Sequence, residues 1–283
     1  MITNEEYNLF DKELDMERSK EYDLAIKNTI EPCSDSFEEE NGVYLGKAYR
    51  EQLICEIKKY GWEDQFKNEY SRFYGPNKTK CKMCSIASSS RLCFIEYKDV
   101  EGIEFEKIID NGNVCKPHLD AFNKSTATYY ECKCHEIVNT HSVMLSAKYR
   151  PLLKKYFHIQ CDGDGDIALD YKTFGICDIK LKCGKYFDFK QFICHIIGLI
   201  TLPEGPKPTL QYVFFKPDSR YLDANNTLKR WKKEFEEIEQ SLFLKLREMK
   251  VYKNGNEYKL KDLINLPFPI SINVSDVDDD LMK

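Results

Sequence analysis

The chain has 283 residues and a formal net charge of -5, and 42% of its residues are hydrophobic. This composition excludes a chain dominated by disorder, and the net charge excludes a surface coated uniformly with basic residues. The longest apolar run, from Phe192 to Leu202, contains His195 and Gly198 and is too short to cross a bilayer, so no membrane span is predicted.

Residues 1–75 predict an N-terminal helical region. Their first residues are acidic and lack a basic start followed by an apolar stretch, so we expect no secretory signal and an intracellular protein, cytoplasmic or nuclear. Residues 38–42 predict a solvated loop, and the break at Gly75-Pro76 predicts the end of the region. The apolar residues of the predicted helix recur at helical spacing, at Tyr49, Leu53, Ile57 and Tyr60.

Residues 76–135 predict a zinc-binding module with two ligand pairs. Two β-leaning pieces lie between the pairs, at residues 92–98 and 103–109, and Pro117 suits the first turn of a helix. This arrangement resembles a treble-clef zinc finger, which implies a structural Zn²⁺ and a module that recognises DNA or a protein partner, or braces the fold. The alternative is a pair of buried thiols. The four predicted zinc ligands are Cys81, Cys84, Cys115 and His118.

The other cysteines leave several interpretations open. The tightly spaced Cys132, Cys134 and His135 suit a second zinc site with Cys93 or Cys161, replacement ligands for the first site, or free thiols. Three further cysteines predict small core residues, with an iron–sulfur cluster as the alternative. These are Cys177, Cys183 and Cys194.

Residues 136–218 predict an α/β core in the order helix, three strands, helix, strand. The first helix is expected over residues 142–157, and the second over residues 189–197. The predicted strands cover residues 157–161, 165–174, 175–182 and 210–215.

Residues 219–283 predict an amphipathic helix followed by an acidic tail. The apolar side of that helix carries Leu228, Trp231, Phe235, Ile238, Leu242 and Leu246.

The second and third predicted strands carry two acids and a lysine. In a hairpin that turns near Gly175, Asp166 approaches Asp178, and Lys180 points to the same face as Asp178. Two carboxylates suit a Mg²⁺ or Mn²⁺ ion that activates water for phosphodiester hydrolysis. A neighbouring lysine can orient that water or stabilise developing negative charge.

Other interpretations of this segment compete with the first. Asp162 and Asp164 compete with Asp166 for the metal, and an ordinary hairpin with solvated side chains would need no metal. A calcium-binding EF-hand is excluded, because Ile167 and Thr173 stand where that loop requires Gly and Glu.

The residues Asp166 and Ile176-Cys-Asp-Ile-Lys180, within this order of elements, resemble the PD-(D/E)xK, or restriction-endonuclease-like, nucleases over roughly residues 136–217. The resemblance implies a metal-dependent nuclease acting on DNA. Asp166, Asp178 and the carbonyl group of Ile179 would hold Mg²⁺ or Mn²⁺, and Lys180 would position the water. Glu136 would supply an acid from the preceding helix. The sequence departs from the family pattern in having Gly165 in place of the proline and Asp as the second acid.

Double-strand cutting by such a nuclease needs two sites, which predicts a homodimer or a second nuclease subunit. The alternatives are an RNA endonuclease and a non-enzymatic zinc regulator or assembly protein. His195, on an apolar helix, is expected to be a satisfied core residue. Basic residues that flank the predicted acids suit a phosphate-binding cleft, although a solvated helix face explains the first four equally well. They are Lys148, Arg150, Lys154, Lys155, Lys180, Lys182, Lys185 and Lys190.

Overall fold

The computed structural model describes residues 37–39, 43–45, 47–66, 73–74, 80–81, 83, 88–110, 116–134, 144–161, 163–169, 171–176, 187–216 and 240–273. Its strands are β1 Phe37–Glu39, β2 Val43–Leu45, β3 Phe73–Tyr74, β4 Lys80–Cys81, β5 Ile103–Ile108, β6 His118–Asn123, β7 Thr128–Lys133, β8 Met144–Leu145, β9 Ile167–Ala168, β10 Thr209–Lys216, β11 Lys250–Lys253, β12 Asn256–Lys259 and β13 Ile270–Asn273. Its helices are α1 Lys47–Lys59, α2 Ser89–Tyr97, α3 Arg150–Phe157, α4 Phe189–Ile200, α5 over residues 240–247 and α6 Leu260–Leu263.

A mixed sheet of five strands forms the centre, in the order β5-β6-β7-β10-β13. Within it, β6 runs antiparallel to both neighbours, whereas the pairs β7–β10 and β10–β13 are parallel. The sheet draws strands from the predicted zinc module, the predicted core and the C-terminal region. The mixed α/β class expected from the sequence is therefore confirmed.

Helices cover both faces of this sheet. Cys132 of β7 contacts Cys93 of α2, whereas the next residue, Lys133, contacts Gln191 of α4. Because successive residues of a strand point to opposite faces, α2 and α4 lie on opposite sides of β7. The buried apolar side chains on the two faces belong to one continuous core. In the described part of the chain, no helix is long and apolar enough to span a membrane.

The β-strand expected at residues 92–98 is wrong, because this segment belongs to helix α2. Ser88 caps that helix, its Oγ accepting a hydrogen bond from the Arg91 backbone N–H at 3.2 Å. Such a cap contributes about 1 kcal/mol. Periodicity alone cannot decide whether a short apolar run is a helix or a strand. For residues 92–98, the N-cap Ser88 favours the helix.

The helix expected after Pro117 is also wrong, because residues 118–123 form strand β6. Burial along β6 alternates residue by residue, as it does in a strand that buries one face more deeply than the other. Pairing with β5 on one side and β7 on the other outweighs the local helix signal of a single proline. Both corrections remove elements on which the treble-clef interpretation depended.

Two of the strands predicted around Asp166 differ in the structure. Residues 158–161 are not a strand, because His158 ends α3 in a left-handed conformation with φ of 55°. The strand expected over residues 165–174 is reduced to β9, which pairs with β8, and a 3-10 turn follows at Tyr171–Phe174. Neither of these two segments lies next to the central strand β10, whose neighbours are β7 and β13.

The remaining predicted elements are confirmed where the structure describes them. The predicted second helix and fourth strand are α4 and β10, and the predicted first helix is confirmed as α3, which begins only at Arg150. Leu53 and Ile57 are buried on α1, as expected. Residues 38–39 lie in a hairpin formed by β1 and β2 rather than in a loop.

The C-terminal helix is described only from residue 240, where Leu242 and Leu246 are buried as expected. The acidic tail, from residue 274, lies outside the described residues.

Candidate functional site

An acid on β6 lies beside an acid and a lysine on β7. The pairing of these strands ends at Ala121 opposite Tyr130, so the next position sets Asp120 against Glu131. Beyond that point the Asp120 carboxylate takes the place of a backbone carbonyl group as the acceptor for β7. Its Oδ2 accepts a hydrogen bond from the Cys132 N–H at 2.6 Å. The strand pair therefore holds Asp120 next to the sequence Glu131-Cys132-Lys133.

Strand β5 has an irregular residue at the same level of the sheet. Its pairing with β6 joins Phe105 to Ala121 and Lys107 to Leu119, and skips Glu106 and Asp120. Glu106 has a φ of 50°, a left-handed conformation that costs a residue with a side chain on the order of 1 kcal/mol. The register is the same on both sides of this position, so the irregularity is a local interruption of the pairing without an inserted residue.

Lys133 connects the acid of β7 to helix α4. Its Nζ lies 2.7 Å from Oε1 of Glu131 and donates to Oε1 of Gln191 at 2.6 Å. The side chains of Lys133 and Glu131 are 11% and 4% exposed. A buried carboxylate needs a compensating charge, which the ammonium group supplies here.

The start of α4 fixes the position of Gln191. Asp188 is the N-cap of this helix, and its side chain accepts a hydrogen bond from the Gln191 backbone N–H at 2.9 Å. An aspartate followed three residues later by glutamine is a common helix start. The cap thus places the Gln191 side chain in the first turn, over the end of β7.

His195, one turn further along α4, completes the buried network. Its Nε2 lies 3.2 Å from the His118 carbonyl oxygen, which only accepts, so Nε2 carries the proton. Its Nδ1 then accepts from the Tyr212 hydroxyl at 3.4 Å. His195 is therefore a satisfied core residue, as the sequence predicts.

His195 is uncharged in this network. Burial, aided by the charge of Lys133, lowers the pKa of His195 to about 3. Its Nε2 also lies 3.5 Å from Oε2 of Glu131, but a neutral imidazole makes this a polar contact rather than an ion pair. Of these two neighbours of Glu131, only Lys133 therefore carries a positive charge.

Behind the two acids, Cys132 and Cys93 form a buried thiol pair between β7 and α2. Burial raises the pKa of Cys93 to about 11 and raises that of Cys132 well above its usual range. Thiols held protonated in this way are poor nucleophiles. The zinc site considered for Cys132 with Cys93 stays a prediction.

The predicted catalytic residues are only partly described. Asp166 is exposed, and its Oδ1 accepts a hydrogen bond from the Ala147 N–H at 3.3 Å. It lines a cavity of ≈ 250 Å³ together with Arg150, whose guanidinium donates to the carbonyl groups of Cys161, Gly163 and Gly165. The predicted partners of Asp166 lie outside the described residues; they are Glu136, Asp178, Ile179 and Lys180.

The predicted zinc ligands are likewise only partly described. His118 begins β6 with an exposed side chain, and Cys81 lies in β4. Cys84 and Cys115 lie outside the described residues, so the zinc site stays a prediction. In the part of the chain that is described, no group of three or more histidine, cysteine, aspartate or glutamate side chains is arranged to hold a metal ion.

Asp120, Glu131 and Lys133 are absent from the site predicted from sequence, although a signal for them exists. They repeat the pattern of an acid, a gap, and an acid two residues before a lysine. The residues before Glu131, Thr128-Tyr129-Tyr130, are typical of a strand. Assigning Asp120 to a helix hid this second copy of the pattern.

Comparison with protein-family models, curated proteins and solved structures finds no match for this chain.

Proposed function

We propose that this chain is a divalent-metal-dependent phosphodiesterase acting on nucleic acid, with Asp120, Glu131 and Lys133 at its centre. One observation carries the proposal: an acid on β6 lies beside Glu131 of β7, whose carboxylate contacts Lys133 at 2.7 Å. These are the residue types that the PD-(D/E)xK pattern requires, on adjacent strands.

The order of elements supports the same proposal. The chain runs through helix α2, the antiparallel strands β5, β6 and β7, then β8, α3 and β9, and finally α4 and β10, which is parallel to β7. If β8, α3 and β9 are treated as an insertion, the order is the helix, three strands, helix, strand that the sequence predicts for a nuclease core. The order is then centred on Glu131 rather than on Asp178.

The residue types suit a hard divalent ion. Asp120 and Glu131 offer carboxylate oxygens, and the Cys132 carbonyl group between Glu131 and Lys133 is a further oxygen donor. Mg²⁺ and Mn²⁺ prefer such ligands, and Mg²⁺ is often held by only two carboxylates, with water and phosphate completing its shell. When bound, the ion would activate water and neutralise charge on the phosphate.

Lys133 has the position of a residue that acts on the reacting phosphate. Its ammonium group is within hydrogen-bond distance of Glu131 and also donates a hydrogen bond to Gln191. A lysine so placed orients the attacking water or stabilises the charge that develops on the phosphate oxygens. We propose DNA as the preferred substrate, with RNA as the alternative that the assay distinguishes.

Cleavage of labelled single-stranded DNA, duplex DNA and RNA by the full chain in Mn²⁺ tests this function. Asp120→Asn, Glu131→Gln and Lys133→Met should each lower the rate at least about 100-fold, because each removes a metal ligand or the stabilising charge. Asp166→Asn is the matched control and should cleave at the wild-type rate.

Two results contradict the proposal. Full activity of Asp120→Asn, combined with loss in Asp166→Asn and Asp178→Asn, would locate the centre at the other acids. If folded wild type cleaves none of these substrates, the proposed enzymatic function is wrong. Circular dichroism of each variant separates loss of chemistry from loss of fold.

A further inference from the structure

Helix α3 and the 3-10 turn that leads into it carry three exposed lysines on their solvent side. In the part of the chain that is described, none of the three has an acidic partner within ion-pair distance. The opposite side of α3 is buried in the core. We call the three lysines the basic face: Lys148, Lys154 and Lys155.

Exposed lysines elsewhere are neutralised by carboxylates. Lys250 contacts Glu257, and Lys259 and Lys261 both contact Glu248. The basic face is therefore a local positive patch in a chain whose formal net charge is -5. The phosphates of a nucleic acid are a polyanion that such a patch attracts.

A cavity adjoins the basic face. Arg150 and Leu153 of α3 line it. Lys154 follows Arg150 by four residues, which places the two side chains next to each other on the helix surface. The cavity of ≈ 250 Å³ has the volume of about eight water molecules, at about 30 Å³ each. A pyrimidine base has a similar number of non-hydrogen atoms, so the cavity is large enough for one base.

The Arg150 guanidinium group is held in one plane at the wall of this cavity. It donates to the carbonyl oxygen of Cys161 at 3.1 Å and to those of Gly163 and Gly165. Because the N–H donors lie in the plane of the group, these bonds engage its edge and leave its flat faces for stacking. Unpaired bases stack on such guanidinium planes.

The rest of the lining suits a base as well. Its apolar members include the buried Ile167 and Phe174, against which the flat faces of a base can pack. Gln160, Asp166 and Thr173 provide oxygen atoms that accept hydrogen bonds from the amino group of a base. Asp166→Asn keeps one acceptor oxygen, which is compatible with its use as the control for cleavage. An apolar slot with polar groups, beside lysines, fits an unpaired nucleotide.

We propose that the basic face and the adjoining cavity form a binding site for single-stranded nucleic acid, in which the lysines contact phosphates and the cavity accepts one base. This inference rests on the proposed function, which selects nucleic acid among anionic partners. The cavity residue Phe174 contacts Phe189 at the start of α4, with ring centroids 5.1 Å apart. Gln191, which binds Lys133, follows two residues later. The site therefore lies beside the helix that contributes to the proposed centre.

Fluorescence anisotropy of labelled single-stranded DNA with the full chain in EDTA measures binding without cleavage. The triple variant Lys148→Gln, Lys154→Gln, Lys155→Gln should bind about 100-fold more weakly than wild type in 0.1 M salt. The slope of log K against log salt concentration should fall by about 2, because each contact with a phosphate of a single strand contributes about 0.7.

The matched control makes the same change of charge at lysines that already have acidic partners. This variant, Lys250→Gln, Lys259→Gln, Lys261→Gln, should bind the DNA within about threefold of wild type, because paired ammonium groups contribute little to phosphate binding. All six lysines are exposed, so both variants should keep the fold. Circular dichroism checks this.

A strand of the same length with abasic sites throughout tests the cavity. Wild type should bind it about 10-fold more weakly than the natural strand, a usual loss for one stacked base. Ala168→Leu, which narrows the cavity from an exposed position, should bind the two strands equally. If that variant does not fold, Thr173→Leu, also exposed in the lining, serves the same comparison.

The outcomes separate this inference from the function beneath it. Unchanged binding by the triple lysine variant, or an equal loss in the paired-lysine control, overturns the inference and leaves the proposed function standing. Equal binding of natural and abasic strands by wild type, or tighter binding of duplex DNA than of the single strand, also overturns it. Binding that depends on the basic face in a chain that cleaves nothing overturns the enzymatic function alone. Absence of binding to any nucleic acid overturns both.

Discussion

At the residue scale, His195 links the stability of the fold to pH. Its folded pKa of about 3 lies below the ordinary value of 6.5, so the unfolded chain binds a proton that the folded chain does not. The stabilising contribution is complete above pH 6.5 and is lost as pH falls towards 3.

Urea unfolding of the chelated protein at pH 7.5 and 4.5 measures this link. Wild type should lose on the order of 3 kcal/mol from this group, at 1.36 kcal/mol for each pH unit below the unfolded pKa. His195→Gln, which does not titrate, should lose correspondingly less over the same interval. Equal losses in the two proteins would contradict the assignment of a neutral His195.

Single residues also show which parts of the site could be predicted from the sequence. His195 was predictable as a core residue, because a lone histidine on an apolar helix has few other roles. The residue pattern offered Asp120 as a candidate, but its position beside Glu131 was not predictable, because strand β7 pairs with β6 only in the folded chain. The contact between Lys133 and Gln191 joins residues 58 positions apart and leaves no local trace.

At the scale of elements, the approach of α4 to β6 depends on a residue without a side chain. A Cβ atom on Gly198 would lie 2.4 Å from Cγ of Pro117 and 3.4 Å from Cδ1 of Ile109. The first distance is far inside van der Waals contact, and the proline ring is rigid. Gly198 therefore allows the helix that carries Gln191 and His195 to pack directly on the start of β6.

Gly198→Ala should destabilise the protein by about 1–3 kcal/mol, the usual cost of overpacking, although alanine favours the helix intrinsically. Gly205→Ala is the control, because its nearest atom, the Pro203 carbonyl oxygen, is 3.9 Å away. Urea unfolding compares the two variants. A Gly198→Ala protein as stable as wild type would show that α4 is not seated as described.

Elements with strong local signals were predictable, and those decided by partners were not. Helix α4 and strand β10 have clear periodicity and a proline-rich break between them, and both lie where expected. Residues 92–98 and 118–123 carry signals that suit either a helix or a strand. The Ser88 cap, a local feature, makes the first segment a helix. Pairing with the neighbouring strands makes the second segment a strand.

At the scale of the whole molecule, one sheet unites segments that the sequence assigned to separate regions. Strands β5 to β7, β10 and β13 come from three of those regions, and α2 and α4 cover opposite faces. The class of fold was accessible from the sequence. The strand order was not, because parallel pairing of β10 with β7 and β13 joins distant parts of the chain.

The central claim concerns which acids bind the divalent ion, and a crystal of the wild-type chain soaked in Mn²⁺ tests it most directly. We expect an anomalous peak between the carboxylates of Asp120 and Glu131. Manganese bound at Asp166 and Asp178, or absent from Asp120 and Glu131 in a fully soaked crystal, would contradict it.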